Sequence, residues 1–507
     1  MNRSDTAEHD RTDPRGDSDF ADQLRVHLAG YGELPFIEFE RQWYSGDQVM
    51  RLIEDLMQVL DHAGIPDTAP IGMVARNRLP HAAATLGLIA ARRKVAMIYS
   101  YQSAQSIARD IENLGLAAVI ADRDDWSDTT LNAARHVGAA AIAVTTTPLS
   151  AEPLVDPAVP CQAPGVHMDE PGLSILSSGT TGPPKRLPLR VDILRHTVTS
   201  MTMGATGGRD DPPELVYWPF GSVGICQLLA APFLDKRMVL LEKFSVAEWV
   251  RAIKTYGIKR AGVQPALLRM ILDADVPTED LASLESLPGG SGPLEPELRE
   301  EFESKYGIPL MWAYGATEFA GSVCAWTPDD HRRYGAHKPR SVGRPLPGVR
   351  VRVVDQDTGE QLPTDEIGYL EGQVDVIGPD WIRTTDLASI DADGFVYIHG
   401  RGDGAINRGG FKILPESVRA ELLRHPTILD AAVVGIDDRR LGQVPVAAVE
   451  LRSAGDPPSE DELKQLVRDA LPSHHVPVSI RIVDALPRNA AWKVKSAEVA
   501  ALWTATH

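Results

Sequence analysis

Cysteine is scarce: Cys161, Cys226 and Cys324 are the only three in 507 residues, and they stand far apart. This spacing excludes a disulfide framework and a zinc site built from closely spaced thiols, and isolated reduced thiols are expected. Basic charge is also in deficit, with 51 Lys and Arg against 70 Asp and Glu and a formal net charge of -19. A nucleic-acid or anionic-membrane surface needs a positive contacting face, so neither partner is expected. No apolar run approaches the ~20 residues that cross a bilayer, and a cytoplasmic protein is expected. Residues 1–22 lack the apolar segment of a signal peptide and are read as a disordered tail.

What is present is ordinary globular composition, 43% hydrophobic and 24% charged, over a length that calls for more than one core. Helical patterns such as 49–60 alternate with short β-branched runs such as 117–121, a βα rhythm that predicts largely parallel sheets. Two α/β layers fit before residue 330. From Arg350 the texture changes to VRVVD, YLEGQVDVIG and GFVYIHG, short strands separated by turns that predict a β-rich subdomain. Beyond residue 402 the pattern is a small α+β domain. Its second helix is signalled by a capping box of Ser459 and Glu462 and by one face of Leu463, Leu466, Val467 and Ala470. The fold class is therefore α/β: a large N-terminal domain (23–402) of two α/β subdomains plus a β-rich one, then a small α+β C-terminal domain (403–507).

The chemistry begins at residues 173–185, LSILSSGTTGPPK, where an apolar strand runs into Ser177, Ser178, Gly179, Thr180, Thr181 and Gly182, with Lys185 after a Pro pair. Glycines admit a polyanion close to the backbone, hydroxyls and amides donate, and the lysine adds charge. The loop is suited to phosphate oxygens. It is not a Walker loop, because Lys185 lacks the preceding Gly and following Ser or Thr. Taken alone, such a loop is as often a plain surface turn.

The string SSGTTGPPK closely resembles the phosphate-binding signature of the adenylate-forming (AMP-binding) superfamily, and further segments resemble that family's motifs in the family's order. The resemblance implies an acyl-CoA synthetase or ligase using ATP, Mg2+ and coenzyme A, with AMP as a product. In WAYGATE, residues 312–318, it implies that Tyr314 and Gly315 lie at the adenine, Thr317 at the α-phosphate and Glu318 on magnesium. Gly290, Ser291 and Gly292 of GGSGPL would form the adenine's other wall. In TTDLA, Asp386 would accept from the ribose hydroxyls, with Ile398 and Arg401 nearby. Asp403 would be the hinge of a mobile C-terminal domain, and Gly409 and Gly410 would border the pantetheine tunnel. Lys493 in LPRNAAWKVKS would be the adenylation lysine.

Three departures bear on function. Trp492 replaces the family's glycine just before the lysine, so the indole is expected either to be tolerated or to hold Lys493 away from the phosphate. In the second case the protein would only thioesterify an acyl-adenylate supplied by an adenylating partner enzyme. In WPFGSVG, Gly221 occupies the position where amino-acid-activating members carry Asp, so an acid without an α-amino group is expected. Phe220, Gly221 and Gly321 are taken as acyl-pocket residues, and Gly221, Gly290, Gly292 and Gly321 together predict a roomy pocket for a bulky acid. The third departure is a loop after VIGPD about a dozen residues shorter than in relatives. A stand-alone enzyme loading a carrier protein is the nearest rival, weakened by the missing Asp, and no carrier domain is expected after His507. A nucleotide-binding protein without turnover would not need Lys493 or Gly410. His474 and His475 are read as solvated rather than metal-binding.

Overall fold

Local signals set the first elements. Ser45 caps the helix Gly46–His62 through a complete capping box with Gln48, and an apolar stripe of Val49, Leu52, Ile53, Leu56 and Leu60 is buried beneath it. The next helix, Leu79–Ala90, is buried on nearly every side, which its small residues Ala82, Ala83, Ala84 and Gly87 permit. The computed structural model describes residues 20–100, 102–158, 168–176, 186–203, 205–221, 224–290, 292–402, 404–408, 411–438, 441–452, 457–489 and 492–504.

The strands Pro70–Ala75, Lys94–Tyr99 and Ala118–Asp122 read as unbroken apolar runs because helices cover both faces of their sheet. That sheet has seven strands, in the order Ser150–Val155, Ala140–Thr145, Ala118–Asp122, Pro70–Ala75, Lys94–Tyr99, Gly172–Leu176, Arg186–Arg190. Its edge pairs are antiparallel and its interior is parallel. A second α/β layer carries two four-stranded sheets, one containing Pro35–Phe39 and Met238–Leu240, the other Leu287–Gly289, Leu310–Ala316 and Gly321–Ala325. The predicted β-rich subdomain is an antiparallel four-stranded sheet of Val349–Val354, Gly368–Val374, Ile382–Ile390 and Val396–Arg401. The C-terminal domain has its own core, in which Ile406, Ile413, Val418, Leu422, Val449, Leu463 and Val467 pack together.

Two details differ from the sequence reading. The helix Phe20–Gly30 occupies the end of the segment read as tail, because Phe20, Ala21, Leu24 and Leu28 recur at helical spacing and bury one face; residues 1–19 lie outside the described residues. Ser459 does cap the helix Glu460–Ala470 by accepting from the Glu462 amide at 3.2 Å. The reciprocal half of the box is absent because the Glu462 carboxylate pairs with His425 at 3.2 Å instead. On that helix Leu463 and Val467 are buried while Ala470 is exposed. Among the described residues no helix is long and apolar enough to cross a membrane.

Candidate active site

The site is a cleft of about 1620 Å³ between the second α/β layer, the antiparallel sheet and the C-terminal domain. One wall follows from strand register. Leu287–Gly289 runs parallel to Leu310–Trp312, which sets Gly290 beside Ala313. A Cβ on Gly290 would lie 2.9 Å from the Ala313 carbonyl oxygen, and the Trp312 indole N–H donates to the Gly292 carbonyl at 3.0 Å. Gly290 and Gly292 are thereby held against the strand that delivers Tyr314 and Gly315. Gly315 in turn packs so closely on the Gly321 carbonyl that a side chain would not fit. Glu318 follows on an exposed turn facing the cleft.

The opposite wall comes from the hairpin of Ile382–Ile390 and Val396–Arg401, in which Asp386 pairs across the strands with Arg401 and Ala388 with Ile398. The Tyr314 hydroxyl spans the cleft and donates to the Asp386 carboxylate. Burial, then the neighbouring Asp386, holds the Tyr314 phenol far above the ordinary tyrosine value, so it stays a donor.

Lys493 reaches this cleft from the C-terminal domain. Burial, followed by the positive charge of Arg401, lowers its pKa below the ordinary lysine value, and Asp386 opposes the shift. Of the two outcomes expected for Trp492, this arrangement matches the tolerated one. Trp492 takes the left-handed conformation, φ 61°, that a glycine would adopt freely, leaves its indole 39% exposed, and lets the lysine enter.

Gly290, Gly292, Tyr314, Gly315, Glu318, Gly321, Asp386, Ile398, Arg401 and Lys493 thus line one cleft. Ser177, Ser178, Gly179, Thr180, Thr181, Gly182, Lys185, Ser291, Asp403, Gly409 and Gly410 lie outside the described residues, as does the Thr317 side chain. The flanking strands Gly172–Leu176 and Arg186–Arg190 pair antiparallel, Leu176 opposite Arg186.

Of the three expected acyl-pocket residues, Gly321 lines the cleft and Phe220 and Gly221 do not. Phe220 is 1% exposed and belongs to the core of the first sheet. Gly221 is buried under Tyr99, whose ring carbon would sit 2.5 Å from an added Cβ. Neither is among the described residues lining the cleft. The other glycines are also mostly packing devices: a Cβ on Gly321 would meet Ser200 Oγ at 2.4 Å, and only Gly292 leaves open room, with Pro265 at 3.7 Å. The room comes instead from side chains that sequence reasoning did not single out, including Met201, Met203, Cys226, Gln227, Ala230 and Arg260. Arg260 faces the cleft because Ala261 and Val263 alternate into the core. Its Nη1 donates to the Thr202 carbonyl at 3.4 Å, and burial lowers its pKa.

Glu416 was also missed. It stands opposite Gly400, where a Cβ would come within 2.6 Å of Oε2. Among the described residues that buried oxygen has no hydrogen-bond partner, and burial raises the pKa of the carboxyl. Among the described residues no group of three or more His, Cys, Asp or Glu side chains converges as a metal site, and the His474 and His475 rings lie 4.4 Å apart, tilted by 48°.

The sequence profile of AMP-binding enzymes matches residues 24–373, and that of the AMP-binding enzyme C-terminal domain matches residues 418–493. The chain belongs to the AMP-binding enzyme family. Among curated relatives of this AMP-binding enzyme, a 2-succinylbenzoate–CoA ligase of Bacillus licheniformis is 31% identical over 65% of this chain and 70% of its own length. A 4-coumarate–CoA ligase-like protein of Oryza sativa is 31% identical over 63% of this chain and 61% of its own. The fold matches ATP-bound MatB of Rhodopseudomonas palustris with a TM-score of 0.80 at 21% identity, covering 95% of this chain and 99% of that one.

Proposed function

We propose that this AMP-binding enzyme is an acyl-CoA ligase that joins a carboxylic acid without an α-amino group to AMP and then passes the acyl group to coenzyme A. The observation that carries this reading is Lys493, delivered by the C-terminal domain into the cleft that holds Tyr314, Glu318, Asp386 and Arg401. In the first step a carboxylate oxygen attacks the α-phosphorus of ATP, the bond to the β-phosphate breaks, and pyrophosphate leaves. Negative charge grows around phosphorus, and the Lys493 ammonium, fixed in a desolvated cleft, counters it without reorganising. Tyr314 and Asp386 hold the adenosine, the ring by its face and the ribose by the carboxylate. Glu318, a single carboxylate rather than a protein cage, suits a magnesium ion whose other ligands are phosphate oxygens and water; such an ion would neutralise phosphate charge. In the second step the coenzyme A sulfur attacks the acyl carbon, the bond to AMP breaks, and the thiol proton is lost to solvent.

The relatives are named for 2-succinylbenzoate and 4-coumarate, acids without an α-amino group, which supports a plain acid. The relatives point to aryl acids, and the cleft's Met and Cys side chains with the Arg260 guanidinium favour an aryl acid bearing a second acceptor group. The test is mass spectrometry of the protein with ATP, magnesium, coenzyme A and a panel of benzoate, 4-coumarate and 2-succinylbenzoate. Acyl-CoA and AMP in equal amounts are expected, most from 2-succinylbenzoate. No AMP release with any acid would overturn the reading, and thioester formed only on a phosphopantetheinylated carrier protein would reassign the acceptor.

A further inference from the structure

The peptide unit joining Trp492 to Lys493 is held at both ends. Its carbonyl accepts from Arg488 Nη1 at 3.1 Å and its N–H donates to Asn489 Oδ1 at 3.0 Å. The turn closes through Trp492 N–H to the Asn489 carbonyl and Asn489 N–H to the Lys493 carbonyl, both at 2.9 Å. This clamp holds a bulky residue at φ 61°, a conformation that costs a non-glycine residue energy. Without it, the peptide is free to leave the left-handed state and take the lysine with it.

Arg488 is itself anchored. Its other nitrogen donates to Asp430 Oδ2, and Asp430 Oδ1 accepts from Arg419 Nη2 at 2.8 Å and from the Ala431 amide at 2.8 Å. Arg419 donates through Nε to the Ala431 carbonyl at 2.9 Å and through Nη1 to Glu295 Oε1 at 2.5 Å. Glu295 belongs to the N-terminal domain, where it precedes the helix Pro296–Tyr306. Two carboxylates and two guanidiniums therefore balance when the domains are closed. Burial works against both charges, yet the partners outweigh it, holding Arg419 above and Asp430 below their ordinary values. Removing Glu295 leaves one surplus positive charge in a partly desolvated chain of groups, which loosens its hold on Arg488.

We propose that Arg419, Asp430 and Arg488 are positioning residues for Lys493, a relay through which contact with Glu295 secures the left-handed turn that presents the lysine. This rests on the reading of Lys493 as the adenylation lysine. The experiment compares the full-length protein with Arg488→Gln, Glu295→Gln and Arg488→Gln combined with Trp492→Gly. The first measurement is ATP–pyrophosphate exchange with the most active acid of the panel, alongside thioester formation from its synthetic adenylate. Arg488→Gln is expected to lower exchange kcat by about tenfold or more while the ATP KM and the thioester step stay within about twofold. Adding Trp492→Gly is expected to restore most of the loss, because glycine holds the turn unaided. The second measurement, mass-spectrometric labelling of Lys493 by an amine-reactive reagent without substrates, is expected to accelerate about fivefold in Arg488→Gln and Glu295→Gln. Equal labelling in all four proteins, or loss of both half-reactions without rescue by glycine, would overturn the relay. Wild-type protein without exchange would sink the adenylation reading instead, and the labelling would still decide the relay.

Discussion

Replacing Gly221 with alanine separates a packing glycine from a pocket glycine. The added Cβ would lie 2.5 Å from Tyr99 Cδ1 and 2.7 Å from Cε1, whereas carbon atoms pack at about 3.5–4.0 Å. The ring must therefore retreat by about 1 Å within a buried site. Overpacking of this kind costs about 1–3 kcal/mol, and at about 2–4 °C per kcal/mol for a large domain the melting temperature should fall by about 2–12 °C. Gly292→Ala is the control, since its nearest neighbour at 3.7 Å is an ordinary contact and no loss of stability is expected. Differential scanning calorimetry of both variants, of Tyr99→Leu and of the Gly221→Ala/Tyr99→Leu pair gives the answer. The pair should show less than the sum of the single losses, because the smaller side chain makes room. An unchanged melting temperature in Gly221→Ala, with an altered ranking of the acid panel, would refute the packing argument and return Gly221 to the acyl pocket.

Two further outcomes follow from the cleft. Tyr314→Phe keeps the ring but removes the donor to Asp386; the ATP KM should rise about fivefold, a fraction of the value of a hydrogen bond to a charged group, with kcat little changed, and an unchanged KM would detach Asp386 from Tyr314. Because burial and Arg401 depress the Lys493 pKa, the ammonium loses its proton at lower pH than an ordinary lysine at about 10.4. Exchange kcat/KM should thus fall on an alkaline limb that begins below that value and vanishes in Lys493→Arg; a flat profile would contradict the assignment.

Much of the fold was legible because its signals are local. The apolar runs at 70–75, 94–99 and 118–122 needed only their neighbours to read as buried parallel strands. Tyr314, Asp386, Arg401 and Lys493 were found through short motifs whose residue types match their chemistry. Gly221 was misjudged for a physical reason: a glycine reports that something lies close, not whether it is a ligand, a ring or a carbonyl. Tyr99, more than a hundred residues before Gly221, gives no sign in the sequence of the space it fills. Glu295, Arg419, Asp430 and Arg488 were equally opaque, since each is an ordinary charge in its own segment; packing within the C-terminal domain joins the last three, and docking of the two domains adds Glu295. The left-handed turn at Trp492 had one signal, the glycine found there in relatives, but the clamp that replaces it did not.

The central claim is that Lys493 drives attack of a carboxylate on ATP, and acid-dependent ATP–pyrophosphate exchange tests it most directly. The wild-type protein should exchange label with an aryl acid of the panel, and Lys493→Gln should lose about a hundredfold or more of that rate while still converting the synthetic acyl-adenylate to its thioester. Exchange that survives in Lys493→Gln, or that is absent from the wild type with every acid, would contradict the account.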